Sequence, residues 1–404
     1  MHDWLNDETE LMDETSRLQT LDSLQEKSSV ALGELARFFL RLGTTAFGGP
    51  AAHIAMMEDE LVRRRKWLSR EKFLDLLGAS NLIPGPSSSE LAIHIGYLLC
   101  GWRGLLVAGF CFILPAAVMV GALAWAYVRY GKLPAVGGVL YGIKPVVIAV
   151  ILQALWGLGQ SAVKTKFLSI VGVLCVLLAF LNVHPLLLLL IGGGITCMAS
   201  LATRGQWASP FSFRAIGIGG LAGAATSFSL SSLFLVFLKI GAIVFGSGYV
   251  LLAFLRADLV VNRGWLTDSQ LIDAVAVGQV TPGPVFTTAT FIGFILGGIR
   301  GAIASTVGVF LPAFFLVAVS GPLVPHIRKS KPASAFLDGV NVASLALMAA
   351  VSWQLGRASV VDVVTVILAV VSLIALLRFR LNSVRLVMAG AVVGLIANTF
   401  RGSP

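Results

Sequence analysis

The stretches NLIPGP, Asn81 to Pro86, and QVTPGP, Gln279 to Pro284, decide how this chain folds, because each interrupts an otherwise apolar segment. Proline donates no backbone hydrogen bond and its ring clashes with the preceding turn, so a helix does not run through Pro-Gly-Pro. In water such a stretch is an ordinary turn. In lipid an interrupted backbone survives only where it is buried in protein or lines a polar cavity. Two such breaks at matching places in two halves of one chain point to the binding site of a transporter.

The lipid setting follows from composition. Of 404 residues, 57% are hydrophobic and 12% charged, and the mean hydropathy is +0.88. Apolar runs of about 20 residues, the length that spans a bilayer, recur at Gly104 to Tyr127, Val136 to Leu158, Gly301 to Val324 and elsewhere. This is the pattern of an all-α polytopic membrane protein with roughly ten to thirteen membrane segments. The net charge of +10 sits mostly in short loops between apolar runs, which reads as positive-inside bias and not as a nucleic-acid surface. The four cysteines lack metal-type spacing and read as small buried hydrophobes, so neither a metal nor a cofactor is expected. No GxxxxGK[ST], HExxH or GxSxG is present, which argues against an ATP-driven pump and against an enzyme. Energy for active transport then comes from an ion gradient or the membrane potential.

The second half repeats the first. Phe39, Gly43, Phe47, Gly48, Trp67, Leu68 and Pro84 to Pro86 recur 198 positions later as Phe237, Gly241, Phe245, Gly246, Trp265, Leu266 and Pro282 to Pro284. After one deleted residue the spacing is 197, and Gly96, Arg103, Gly104, Pro115 and Trp156 match Gly293, Arg300, Gly301, Pro312 and Trp353. Register kept over so long a stretch is the mark of duplication. We therefore expect an acidic tail over 1–29, a first transmembrane repeat over 30–214 and a second over 215–404. If each half holds one re-entrant hairpin and five spans, the odd count inverts the second half. The cluster Arg63 to Lys66 then faces the cytoplasm and Arg256 to Arg263 the opposite side. Against inversion, Arg328, Lys329, Lys331, Arg378, Arg380 and Arg385 would lie outside, and Ala215 to Ser231 would change the parity as an extra span.

The residues that could carry chemistry gather at the breaks. Gly48 and Gly49 open a Gly-Gly-Pro interruption before His53 and Glu58. Ser87 and Ser88 follow the first Pro-Gly-Pro, and Thr287 and Thr288 the second. Hydroxyls and free N–H groups at a helix start face one space and suit an anion, although the same hydroxyls serve equally as N-caps. Arg41 and Lys239 occupy matching places one turn before the glycine breaks. An intramembrane cation is costly and functional by default, with snorkelling to the interface the plainer alternative. Glu90 is an intramembrane carboxylate with no counterpart in the second half. With His53 and Glu58 it is a candidate for proton coupling, and a salt bridge to Arg41 is the competing reading.

LRLGTTAFGGPAAH, the basic helix ending RRRKWLS, and NLIPGPSSSELAIHIGY resemble the signature of the chromate ion transporter family, and the duplicated half with QVTPGP resembles its long, two-domain members. The resemblance covers nearly the whole chain after residue 30. It implies export of chromate across the bacterial inner membrane, driven by membrane potential or a proton gradient, with sulfate a competing oxyanion. The family's residues carried onto this chain are Gly48, Gly49, Pro50, His53, Pro84, Gly85 and Pro86. A sulfate or other anion permease, or a non-transporting or enzymatic membrane protein, stays open as an alternative. So does a homodimer.

Overall fold

A computed structural model describes residues 30–131, 133–181, 183–202, 228–245, 250–379 and 381–400. The acidic tail, the expected boundary between repeats and most of Ala215 to Ser231 lie outside the described residues, as do Gly246 and Arg380.

Described in chain order, the first half comprises α1 (Leu32–Thr45), α2 (Gly49–Glu58, continued by a π turn, Asp59–Arg64), α3 (Arg70–Ser80), α4 (Ser87–Tyr130), α5 (Pro134–Ala162), α6 (Lys166–Phe180) and α7 (Pro185–Ala202). The second repeats the order as α8 (Leu230–Ile243), α9 (Leu251–Leu255, with a π turn, Arg256–Asn262), α10 (Asp268–Val280), α11 (Thr288–Lys329), α12 (Lys331–Ser359), α13 (Val363–Phe379) and α14 (Ser383–Phe400). No strand occurs among the described residues. Six of these helices are long and apolar enough to cross a membrane, and the chain is a multi-pass membrane protein.

Two of the long helices are folded back on themselves. Backbone angles leave the helical region at Cys100 and Gly101 in α4 and at Gly297 and Gly298 in α11. A Cβ added at Gly96 would strike the carbonyl oxygen of Gly104, and one at Gly293 that of Gly301. Residues eight apart on a continuous helix lie about 12 Å apart, so each element is a hairpin with a short arm and a long arm. The apolar run alone had read as a plain span. Its turn needs only one left-handed glycine, Gly101 or Gly298.

The α1–α2 pair is a second hairpin, since Phe38, Arg41 and Leu42 share a cleft with Met56, Asp59 and Arg64. Among the described residues each half therefore carries two re-entrant hairpins and then four crossing segments: the long arm of α4 or α11 and the three helices after it. This corrects the expected single hairpin, because the segment broken at Pro-Gly-Pro turns back instead of spanning. The repeats are nonetheless inverted. His94 on the short arm of α4 meets Ser320 on the long arm of α11 at 3.5 Å, Phe110 meets Phe314, and Tyr127 meets Phe291 on α11's short arm. The long arms thus run antiparallel. Gly138 likewise meets Asn398 while Gly142 meets Gly390 and Gly394, so α5 and α14 are antiparallel too. A two-fold axis relating antiparallel equivalents lies across the helices, in the membrane plane.

The halves interlock by exchanging partners: α5 packs on α13 and α14, and α12 packs on α6 and α7. Small residues permit the closest seams, as at Gly142 with Gly390 and Gly192 with Gly339. Polar clasps close the rims, Tyr141 donating to Asp362 at 2.7 Å on one face and Lys164 to Asp338 at 2.8 Å on the other. Tracing the chain puts Arg63 to Lys66, Lys164, the α11–α12 junction and the α13–α14 junction on one face, and Arg256 to Arg263 on the other. The junctions holding Lys329, Lys331, Arg378 and Arg385 therefore share the face of Arg63 to Lys66. The charge objection to inversion came from the wrong hairpin count.

Candidate functional site

The four interrupted tips meet inside the protein. Gly85 N–H donates to Val244 O at 2.7 Å, and Gly283 N–H donates to Ala46 O at 3.0 Å. Each Pro-Gly-Pro loop thus caps the broken end of the first helix in the opposite half, and the two bonds are related by the repeat spacing. The glycines are required by conformation as well as space, with φ +140 at Gly85 and +91 at Gly283. A Cβ at Gly283 would press on Ala116 and on Gly43 O. Pro84, Pro86, Pro282 and Pro284 hold these turns by refusing the helix on either side.

Helix starts surround this junction. Gly48, at φ +109, precedes α2, and Gly49 begins it. Neither α2 nor α4 has a side-chain N-cap, whereas α3 is capped by Ser69 and α10 by a full Thr267 capping box. Uncapped N–H groups with the positive dipole end behind them form an anion-binding arrangement.

His53 is fully buried and ties three parts of the junction together. Its Nε2 lies 3.1 Å from Ala46 O and its Nδ1 3.3 Å from the Ser88 hydroxyl. A carbonyl only accepts, so Nε2 carries the proton and Nδ1 accepts from Ser88. Glu90, 0% exposed, lies against the Gly85 Cα, where any Cβ would meet its Oε1. Both Glu90 oxygens, Ser89 Oγ and Gln279 Nε2 are buried and make no hydrogen bond among the described residues. Ser89 and Gln279 were not singled out from sequence, and only their place beside the two breaks could have marked them.

The hydroxyls after the second break are differently disposed. Thr287 donates to Pro284 O at 2.7 Å and Thr288 to Val285 O at 2.8 Å. Their hydrogens are committed to the preceding turn, which leaves the oxygens as acceptors. Three other sequence candidates lie off the junction. Glu58 faces Arg63 and Arg70, each at 3.9 Å. Arg41 lines the α1–α2 cleft with Asp59, Glu60 and Arg64. Lys239 pairs with Asp258 at 2.6 Å, and Arg263 lies 3.5 Å from the same carboxylate. Glu60 and Arg65 repeat the Asp258 and Arg263 positions and pair at 2.8 Å. No group of His, Cys, Asp or Glu that could hold a metal occurs among the described residues.

A second intramembrane ionic cluster escaped the sequence reading. Asp273 on α10 accepts from Tyr127 at 2.9 Å and lies 3.3 Å from Lys144 Nζ, which also donates to Ser269 at 2.6 Å. Partners more than a hundred residues apart leave no local signal.

The family model described as chromate transporter matches residues 33–197 and again 231–395. A chromate transport protein of Cupriavidus metallidurans is 33% identical over 383 residues, covering 93% of this chain and 95% of the relative. A probable chromate transport protein of Synechococcus elongatus is 32% identical, covering 91% and 95%. An uncharacterised transporter of Bacillus subtilis is 28% identical over 148 residues, which is 36% of this chain and 83% of the relative, so one half of this chain corresponds to most of a shorter protein. No solved structure matches. The relatives are named as transport proteins and not as enzymes, and with both halves matched the chain belongs to the chromate transporter family.

Proposed function

We propose that this chain exports chromate from the cytoplasm across the bacterial inner membrane, with the oxyanion held where the four interrupted tips meet. The observation that carries the reading is the reciprocal pair of bonds, Gly85 to Val244 and Gly283 to Ala46, which brings the start of α4, with Ser87 and Ser88, beside the broken helix ends of the other half. Backbone donors with the dipole behind them suit a tetrahedral dianion. Pro84 to Pro86 and Pro282 to Pro284 keep them from being absorbed into continuous helix. Arg41, one turn from the tip, supplies long-range positive charge. Lys239 contributes less, because Asp258 neutralises it. Thr287 and Thr288 shape the second side of the site.

The face bearing Arg63 to Lys66 and the two basic junctions is cytoplasmic under the positive-inside rule. Membrane potential favours outward movement of an anion. Glu90, buried without a partner, is the group placed to couple a proton to that movement, with His53 and Ser88 beside it. The names of the Cupriavidus and Synechococcus relatives favour chromate. Sulfate or another inorganic anion is the second reading, since backbone N–H and hydroxyl donors recognise charge and tetrahedral shape that chromate and sulfate share.

The test is chromate uptake by inverted membrane vesicles from a chromate-sensitive bacterial host, with sulfate as competitor and with an uncoupler. Uptake above the empty-vector level that collapses with the uncoupler is expected. No uptake of chromate, with uptake of sulfate, would transfer the assignment to the second reading.

A further inference from the structure

The two repeats are in different conformations. Leu74 on α3 is 48% exposed while its counterpart Ile272 on α10 is 1% exposed, and Met56 on α2 is 39% exposed against 2% for Phe254. Asp75 is exposed and Asp273 buried. The hairpins of the second half are seated on the crossing helices, α10 on α5, α12 and α14, and α9 on α12. Those of the first half pack on α4, with α3 also touching α11.

We propose that Asp273, Lys144 and Tyr127 form a closed gate on the face of Arg256 to Arg263, and that the opposite face is closed in a second state by docking α3 on α12, which brings Asp75 to Asn341. The inference rests on the chain being a transporter. The two repeats share one backbone plan, so each can adopt the other's conformation, and exchanging them generates the state open to the other side. The repeat spacing maps Asp273 to Asp75 and Lys144 to Asn341.

The seated gate is held by a cation and a phenol on one carboxylate, Lys144 at 3.3 Å and Tyr127 at 2.9 Å. Its counterpart offers Asp75 an amide, Asn341, in place of the Lys144 cation. Opposite full charges attract more strongly than a carboxylate and an amide dipole do, so the resting balance favours the state seen here. That state is open on the face of Arg63 to Lys66, where a cytoplasmic anion would enter. Lys144 and Asp273 thus act as positioning residues that set which side is open.

Thiol cross-linking and labelling in membranes test this without any substrate, so failure here leaves the chromate assignment untouched. In a version lacking Cys100, Cys111, Cys175 and Cys197, the pair Asp75→Cys with Asn341→Cys should cross-link with a bifunctional thiol reagent long enough to replace the two side chains, since tip-to-tip contacts lie beyond disulfide reach. Tyr141→Cys with Asp362→Cys, treated with the same reagent, serves as the static control. Lys144→Asn and, with the native gate intact, Asn341→Lys should both slow maleimide labelling at Leu74→Cys and speed it at Ile272→Cys, each by severalfold. Absence of the 75–341 cross-link while the control forms, or labelling at the two positions that moves in the same sense or not at all, would overturn the proposal. Asn341→Lys keeps the test usable if loss of Lys144 impairs folding.

Discussion

Between the tips of its hairpins the first half carries His53, Ser88 and Glu90, whereas the second half has Leu251 and Phe286 at the places of His53 and Ser88 and no equivalent of the carboxylate. The backbone frame around them is nonetheless shared, down to reciprocal bonds from Gly85 and Gly283 and matching seams, Gly43 on Phe112 and Gly241 on Val309. Duplication has preserved what glycine, proline and backbone hydrogen bonding dictate. Polar side chains were free to diverge once one set was enough. The result is a two-fold frame with one-sided chemistry.

The largest expected effect tests the shared frame. Gly85→Val and Gly283→Val each force a branched side chain into a left-handed turn with no room for a Cβ, and transport should fall on the order of a hundredfold or more in both. Vesicle uptake at matched protein levels checks this. A tolerated substitution on one side only would mean that the reciprocal bonds do not act as a pair. Glu90→Gln tests the one-sided chemistry. It keeps the shape and removes the titratable proton, so uptake driven by an imposed proton gradient should drop about tenfold or more, while uptake driven by membrane potential persists. Equal loss under both driving forces would assign Glu90 to packing.

A smaller contrast lies between His53 and Leu251. His53→Ala removes two hydrogen bonds at the junction, each worth about 0.5 to 1.5 kcal/mol, and should weaken apparent chromate affinity by roughly tenfold. Leu251→Ala leaves a cavity in a packed segment. It should cost about 2 to 5 kcal/mol of stability, read as a lower melting temperature, with affinity little changed. The smallest effect separates the matching cations: Arg41→Gln, which removes an exposed charge acting at long range, should weaken affinity by about three- to fivefold, whereas Lys239→Gln should leave it within about twofold because Asp258 already holds that charge. Similar losses at both positions would show that the cations act together on the anion.

What the sequence made legible was local and dictated by backbone chemistry. Pro84 to Pro86 and Pro282 to Pro284 had to break helices, and the constant spacing between them exposed the duplication. The hairpins at Cys100–Gly101 and Gly297–Gly298 were invisible because a tight turn inside an apolar run requires a single glycine and changes no hydropathy. Missing them misassigned the basic junctions after α11 and α13 to the wrong face. The pairing of Lys144 with Asp273 was hidden because only the interlocking of the halves brings α5 to α10. At the site, sequence placed Ser88 and His53 at separate breaks, and folding joined them. It also set Arg41 and Lys239 side by side as equivalents, while folding gave Lys239 a buried carboxylate partner.

An oxyanion held at the meeting of the four tips would be seen directly in the structure of the protein in lipid nanodiscs with chromate bound. A tetrahedral density is expected at the start of α4 beside Ser88, between the Pro84–Pro86 and Pro282–Pro284 turns. Density instead in the cleft lined by Arg41, Asp59, Glu60 and Arg64, with the junction of the tips empty, would contradict it.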